Sequence, residues 1–199
     1  IEGILDCLKQ VESDLHLEKG GIVGQVVQYK DYADKMTGET EEYITNDFSR
    51  LKNKLASFEA KGGADGAGCG KNCEDIQGGL LRALEQITKE PYRDYNHLIL
   101  IVGDYPNHGD FDQCTITRNR NNKKIDDIWN QIYHGIRSLE SIRIMFMPVY
   151  IAEIVTTMNR MRNALGDSVV DSRRASEDNF KRIVTDICVN EYKCFAGIS

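Results

Sequence analysis

The chain has 199 residues, 41% of them apolar and 28% charged, the balance of a globular protein with a real core rather than a disordered or fibrous one. Its 31 acidic residues against 25 basic ones leave a formal charge of -6. Because Lys and Arg are dispersed among acids, neither nucleic acid nor an anionic bilayer is the expected partner. No apolar run approaches the roughly 20 residues of a membrane span, so no membrane insertion is expected.

This length predicts a single domain over residues 1–199. The first residue is Ile1 and no charged-then-apolar leader follows it, so the chain reads as an internal piece of a longer polypeptide. Of six cysteines, only Cys69 and Cys73 are close together. No second Cys or His pair with zinc spacing follows them, and the thiols are expected to be mostly reduced. No Asn-x-Ser/Thr acceptor occurs among many asparagines, which with the reduced thiols favours an intracellular location.

In chain order, residues 2–15 place Ile4, Leu5, Leu8, Val11 and Leu15 on one helical face, and Gly20-Gly21 ends the pattern. The β-branched run 22–32 predicts a strand and 41–45 a short edge strand. Asn46 is expected to cap a helix carrying Phe48, Leu51, Leu55 and Phe58. A Gly-rich loop, 61–75, leads into a helix from about Glu74 to Lys89, closed by Pro91. The continuous apolar run 97–104 predicts a strand buried on both faces, and 142–150 another. Helices are predicted over 124–139, 151–164 and 177–190, with a short strand near Ser168-Val169-Val170. Met145, Met147, Met158 and Met161 are expected to fill the core.

This alternation predicts an α/β domain with a doubly wound, mainly parallel sheet and helices on both faces. Such sheets open with a strand that becomes central, whereas this chain opens with a helix, so the first strand is expected to be absent from it. A sheet missing that strand would need one from elsewhere in the parent polypeptide, the expected source, or from a partner.

In doubly wound sheets ligands bind beyond the C-terminal strand ends, where strand order reverses. Asp104 ends the run HLILIVGD there, and Asp65, Glu74 and Asp75 belong to the acidic loop before a helix. Carboxylates at such an edge suit a hard cation. Against that stand plainer roles: Asp104 as a turn residue, and Glu74 and Asp75 as acids favouring a helix start. GGADGAGCGK lacks the Lys-Ser/Thr ending of a phosphate loop. No serine occupies a nucleophile elbow, and Cys114 lacks a defensible base, so no catalytic constellation is expected. The basic stretch 118–124 reads as a solvated loop.

The string GGAD…EDIQGGLLRAL followed by HLILIVGDYPNHGD resembles the von Willebrand factor A domains attached to α-kinases. There the loop typically runs Gly-Gly-Gly-Asp-x-Pro-Glu-Asp into Gly-Gly-Leu, and the next buried strand ends in Asp-x-Pro-x-His-Gly. VVQYKDYAD resembles the second strand of that group, IEGILDCLKQ its first helix and DNFKRIVTDIC its closing helix. The resemblance implies a metal-ion-dependent adhesion site, in which Mg²⁺, or Ca²⁺ or Mn²⁺, bridges the domain to an acidic group on another protein. Carried over position by position, it implies Asp104, Glu74 and Asp65 as metal residues. His108 matches the turn histidine, and with Tyr105 it forms the candidate partner-binding pair. The Asp-x-Ser-x-Ser element of the family does not occur at the start of this chain, and GAGCGKNC is an insertion in the loop. As it stands, the implied metal site is incomplete. The expected function is therefore a protein-interaction module rather than an enzyme; the alternatives are a regulatory domain of a larger enzyme such as an α-kinase, or a metal-free structural subunit of an assembly.

Overall fold

The computed structural model describes residues 2–14, 16–17, 21–29, 44–57, 75–103, 107, 122–148 and 154–170, with 182, 186, 189 and 190 as isolated helical positions. The chain divides into two compact units. One comprises Ile1–Val26, Thr40–Glu59 and Arg174–Ser199; the other comprises Val27–Glu39 and Ala60–Arg173.

The first unit holds α1 (Glu2–Asp14) and α2 (Phe48–Ala56), which pack together. Phe48 and Leu51 of α2 are buried with Ile22, Val26 and Leu55 around them, as their helical spacing requires. Asp47, not Asn46, caps α2: its Oδ1 accepts from the N–H groups of Ser49 at 3.0 Å and Arg50 at 3.1 Å. The Asp carboxylate serves two otherwise orphaned donors at once. Along the described part of the predicted strand over 22–32, Gly24 and Val27 are bridge positions, and residues 30–32 lie outside the described residues. Gly24 exchanges reciprocal hydrogen bonds of 2.8 and 3.0 Å with Thr45 in an isolated antiparallel bridge. Strand propensity is realised only where a partner runs alongside, and here pairing is local.

The second unit is α/β. Its sheet has the order β1 (His97–Gly103), β2 (Ile142–Pro148), β3 (Val169–Val170), and all neighbours are parallel. Parallel neighbours require crossovers, and helices α4 (Asn122–Arg137) and α5 (Ile154–Leu165) occupy the two connections. Before β1 comes α3 (Ile76–Ile87), which packs on α4, while α4 packs on α5; the three form one helical layer. Its face is built from Leu80 and Leu84, Trp129, Ile132 and Ile136, and Met158 and Met161, meeting Ile144 and Phe146 of the sheet. These recur every three to four residues in the helices and every second residue in β2.

Met145 is also fully buried, so both faces of the middle of β2 are covered, as expected of a central parallel strand. β1 departs from that expectation: Ile101 is buried and its other residues are half-buried. It ends the order of the described sheet, with β2 on one side. The His97 N–H donates to the Ser141 carbonyl at 3.0 Å, which fixes the alternation. Odd-numbered residues of β1 bond toward β2, while Leu98, Leu100 and Val102 turn their N–H and C=O groups to the opposite edge.

On α4, Trp129 stacks on Tyr133 with ring centres 5.5 Å apart, and the Arg160 guanidinium lies 5.8 Å from the Trp129 ring centre. Arg160 also meets Asp126 at 3.3 Å on the surface, a pair of small energetic weight. Among the described residues no helix is long and apolar enough to cross a membrane.

Two outcomes are expected. Ile144→Ala removes a fully buried side chain from the sheet core and is expected to lower the unfolding free energy by about 2–5 kcal/mol, read by urea titration of the fluorescence of Trp129, the chain's single tryptophan. Burial holds the His97 imidazole below its ordinary value of 6.5, with the backbone of Arg93 and Tyr92 pulling the other way. Because the folded value lies below the unfolded one, this contribution is complete above about pH 6.5 and is lost as pH falls below it. The same titration repeated between neutral and mildly acidic pH should show a decline that His97→Leu reduces; an unchanged slope in the variant removes His97 as the cause.

Candidate functional site at the C-terminal end of the sheet

β1 ends at Gly103 and α3 begins just after Asp75, so both deliver their chemistry to the same end of the second unit. Three local arrangements bring the chain together there.

Asp75 is the N-cap of α3; it is buried, and its Oδ1 accepts from the Gly78 N–H at 3.0 Å. Asn107, with no exposed surface, lies beyond the β1 end. Its Oδ1 accepts from the Gln77 N–H at 3.0 Å, and its own N–H donates to the Thr157 hydroxyl of α5 at 2.7 Å. The third arrangement belongs to Tyr29, whose hydroxyl donates to the Val102 carbonyl at 2.8 Å. That carbonyl is one of the β1 groups turned away from β2, so a side chain serves this part of the strand edge.

The Tyr29 ring has room because two neighbours are glycines. A Cβ on Gly79 would stand 3.1 Å from the Tyr29 Cβ, and a Cβ on Gly103 would collide with the Tyr29 hydroxyl. Absence of a side chain at both positions is what lets the phenol reach the strand.

The N–H groups of Gln77 and Gly78 are thus occupied by Asn107 and Asp75. A helix start can cradle an anion when such donors face solvent; these two face side-chain oxygens. Among the described residues no group of three or more His, Cys, Asp or Glu is placed to hold a metal. The described carboxylate at this end, Asp75, is engaged as a helix cap, whereas a hard cation wants about six oxygens. The described residues do not by themselves fit a cation.

Asp104, Tyr105, His108, Glu74 and Asp65 lie outside the described residues. What the structure brings together are described residues beside four of them: Gly103 and Asn107, which bracket Asp104 and Tyr105 with Asn107 preceding His108, and Asp75, which follows Glu74. Asn107, Thr157, Gln77 and Tyr29 are residues of this end that sequence reasoning did not single out. Tyr29 and Asn107 fall within the strings VVQYKDY and DYPNHGD on which the resemblance was drawn. Thr157, in the helical run IVTTMNR, carries no signal: a threonine on a helix reads as a surface residue until its partner is known.

At the other end of β2, Arg137, Glu140 and Arg143 rim a hollow of about 270 Å³ floored by Leu139 and Leu165. Arg137 donates from there to the Ala164 carbonyl at 2.7 Å, so its guanidinium helps to close the end of α5. Among the described residues, none at that end gathers polar groups from three elements as Asn107 does.

Compared with family models, with curated proteins and with solved structures, the chain matches none.

Gly103→Ala is expected to destabilise the fold by about 1–3 kcal/mol, because the new methyl meets the Tyr29 hydroxyl. Its cost should shrink in a Tyr29→Phe background, where the colliding oxygen is gone. Urea denaturation of the four chains measures this, and equal costs in both backgrounds contradict the seat described for Tyr29.

Proposed function

We propose that this chain is a protein-interaction module of the von Willebrand factor A type, not itself a catalyst, which meets its partner at the C-terminal end of β1. The observation that carries the reading is the pair of hydrogen bonds at Asn107, to the Gln77 N–H and the Thr157 hydroxyl. The first joins the segment DYPNHGD to the segment EDIQGGL, the two strings on which the resemblance rests, at the sheet end where α/β proteins bind ligands; the second ties DYPNHGD to α5. The parallel order β1-β2-β3 supports it as one half of a doubly wound sheet. In this reading Asp104, Tyr105 and His108 face another protein, and the chain works inside the cell.

Whether a divalent cation takes part divides the proposal in two. The resemblance assigns Asp104, Glu74 and Asp65 to Mg²⁺, Ca²⁺ or Mn²⁺. The insertion GAGCGKNC between Asp65 and Glu74 favours docking without metal, as in a structural subunit of a larger assembly. Thermal melting of the chain with and without Mn²⁺ separates them. A melting temperature that rises with Mn²⁺, and no longer rises in Asp104→Ala, establishes the cation; an unchanged curve shows that this chain by itself holds none.

Photo-crosslinking locates the docking face. A crosslinking residue placed at Tyr105 is expected to give adducts with a partner protein that excess unlabelled chain suppresses, while one at Glu140, at the other end of β2, gives none. Adducts at Glu140 alone would move the interface away from the end of β1 and defeat the proposal.

A further inference from the structure

On either side of Asp104 and Tyr105 a hydroxyl from another part of the chain bonds the backbone, at Val102 before them and at Asn107 after them. Before them, the Tyr29 phenol bonds the Val102 carbonyl and lies against Gly103. After them, the Thr157 hydroxyl accepts from the Asn107 N–H, and Asn107 in turn holds the Gln77 N–H of α3. Gly103 lies close to both, since a Cβ there would collide with the Tyr29 hydroxyl and stand 3.4 Å from Ile154, on the first turn of the helix that carries Thr157.

We propose that Tyr29 and Thr157 are positioning residues which act together, their hydroxyls setting Gly103 and Asn107 relative to the start of α3 and so fixing the spacing of the binding face. Neither residue meets the partner. Their effect is preorganisation: a face set before binding loses less conformational freedom on association, and a displacement of about an ångström is enough to weaken recognition. What the spacing serves rests on the interaction reading above; the coupling itself does not.

Three properties of the site argue for a joint action. Asn107 and Thr157 have no exposed surface, so water offers no easy replacement for either bond. The bonds join residues 30, 50 and 73 positions apart in the chain, so their relative positions are not set by local chain geometry. The seat of Tyr29 depends on two glycines, which leaves the phenol little alternative placement.

Amide hydrogen exchange on the whole chain tests this without a partner or a metal, using Tyr29→Phe, Thr157→Val and Thr157→Ser. Tyr29→Phe is expected to speed exchange at the Asn107 and Gln77 amides about tenfold, the loss of roughly one buried hydrogen bond felt at a distance, with Ile144 and Phe146 in β2 unchanged. Thr157→Val should speed the Gly103 amide comparably, and Thr157→Ser, which keeps the hydroxyl, should restore it. Effects confined to the residue each hydroxyl bonds, or spread evenly through the sheet as in general destabilisation, overturn the proposal. A chain that shows the coupling yet meets no partner at this face refutes the interaction reading and leaves the positioning role standing.

Discussion

Asn107 accepts from one element and donates to another while wholly enclosed, and the rest of the sheet end is arranged around that fact. An amide placed in a dry interior is costly unless its groups are paired. Here pairing is obtained from the second N–H of α3 and from the hydroxyl of α5. The same bond completes the helix, since the first N–H groups of an α-helix have no acceptor of their own. Asp75 serves one such donor and Asn107 the next. The start of α3 is therefore capped from two places in the chain, 32 residues apart. A cap of this kind does more than end a helix: it fixes where the helix begins relative to the strand.

The second constraint is the edge of β1. A parallel strand bonds to a neighbour through alternate residues, and the remainder face the other way. The structure gives the Val102 carbonyl a tyrosine hydroxyl, and glycines on α3 and β1 make the space for it. Half-burial along β1, against the complete burial of Ile144, Met145 and Phe146 in β2, follows from the same position at the end of the described order.

Much of the second unit was readable from residues alone. Runs such as HLILIVG and IRIMFMP announce parallel strands by their length and largely apolar character, although the middle of β2 is buried and most of β1 is only half-buried. The spacing of Ile76, Leu80 and Leu84 announces α3, and the methionines at 145, 158 and 161 are core residues as their polarity suggests. Single-residue choices were less legible. Asn46 and Asp47 are both good caps, and only the backbone path decides that Asp47 reaches Ser49 and Arg50. The run at 22–32 has strand composition, yet pairing depends on a neighbour that composition does not specify. At the candidate site Asp104 and the loop through Glu74 before α3 point in the sequence to one end of the sheet, and both lie outside the described residues. The residues that organise it were not legible, because Thr157 and Gln77 act through tertiary contacts that leave no periodicity. Asp65, Glu74, Asp104, Tyr105 and His108 all lie outside the described residues, so their roles belong to the proposal.

The measurement that bears most directly on this account is the exchange protection of the Gln77 amide in the wild-type chain and in Asn107→Leu. If Asn107 ties the start of α3 to the end of β1, that amide is protected in the wild type and loses protection in the variant, while the Gly78 amide, held by Asp75, keeps it. A Gln77 amide that exchanges as freely in the wild type as in the variant would contradict the tie, and with it the meeting of the two segments on which the proposed binding face depends.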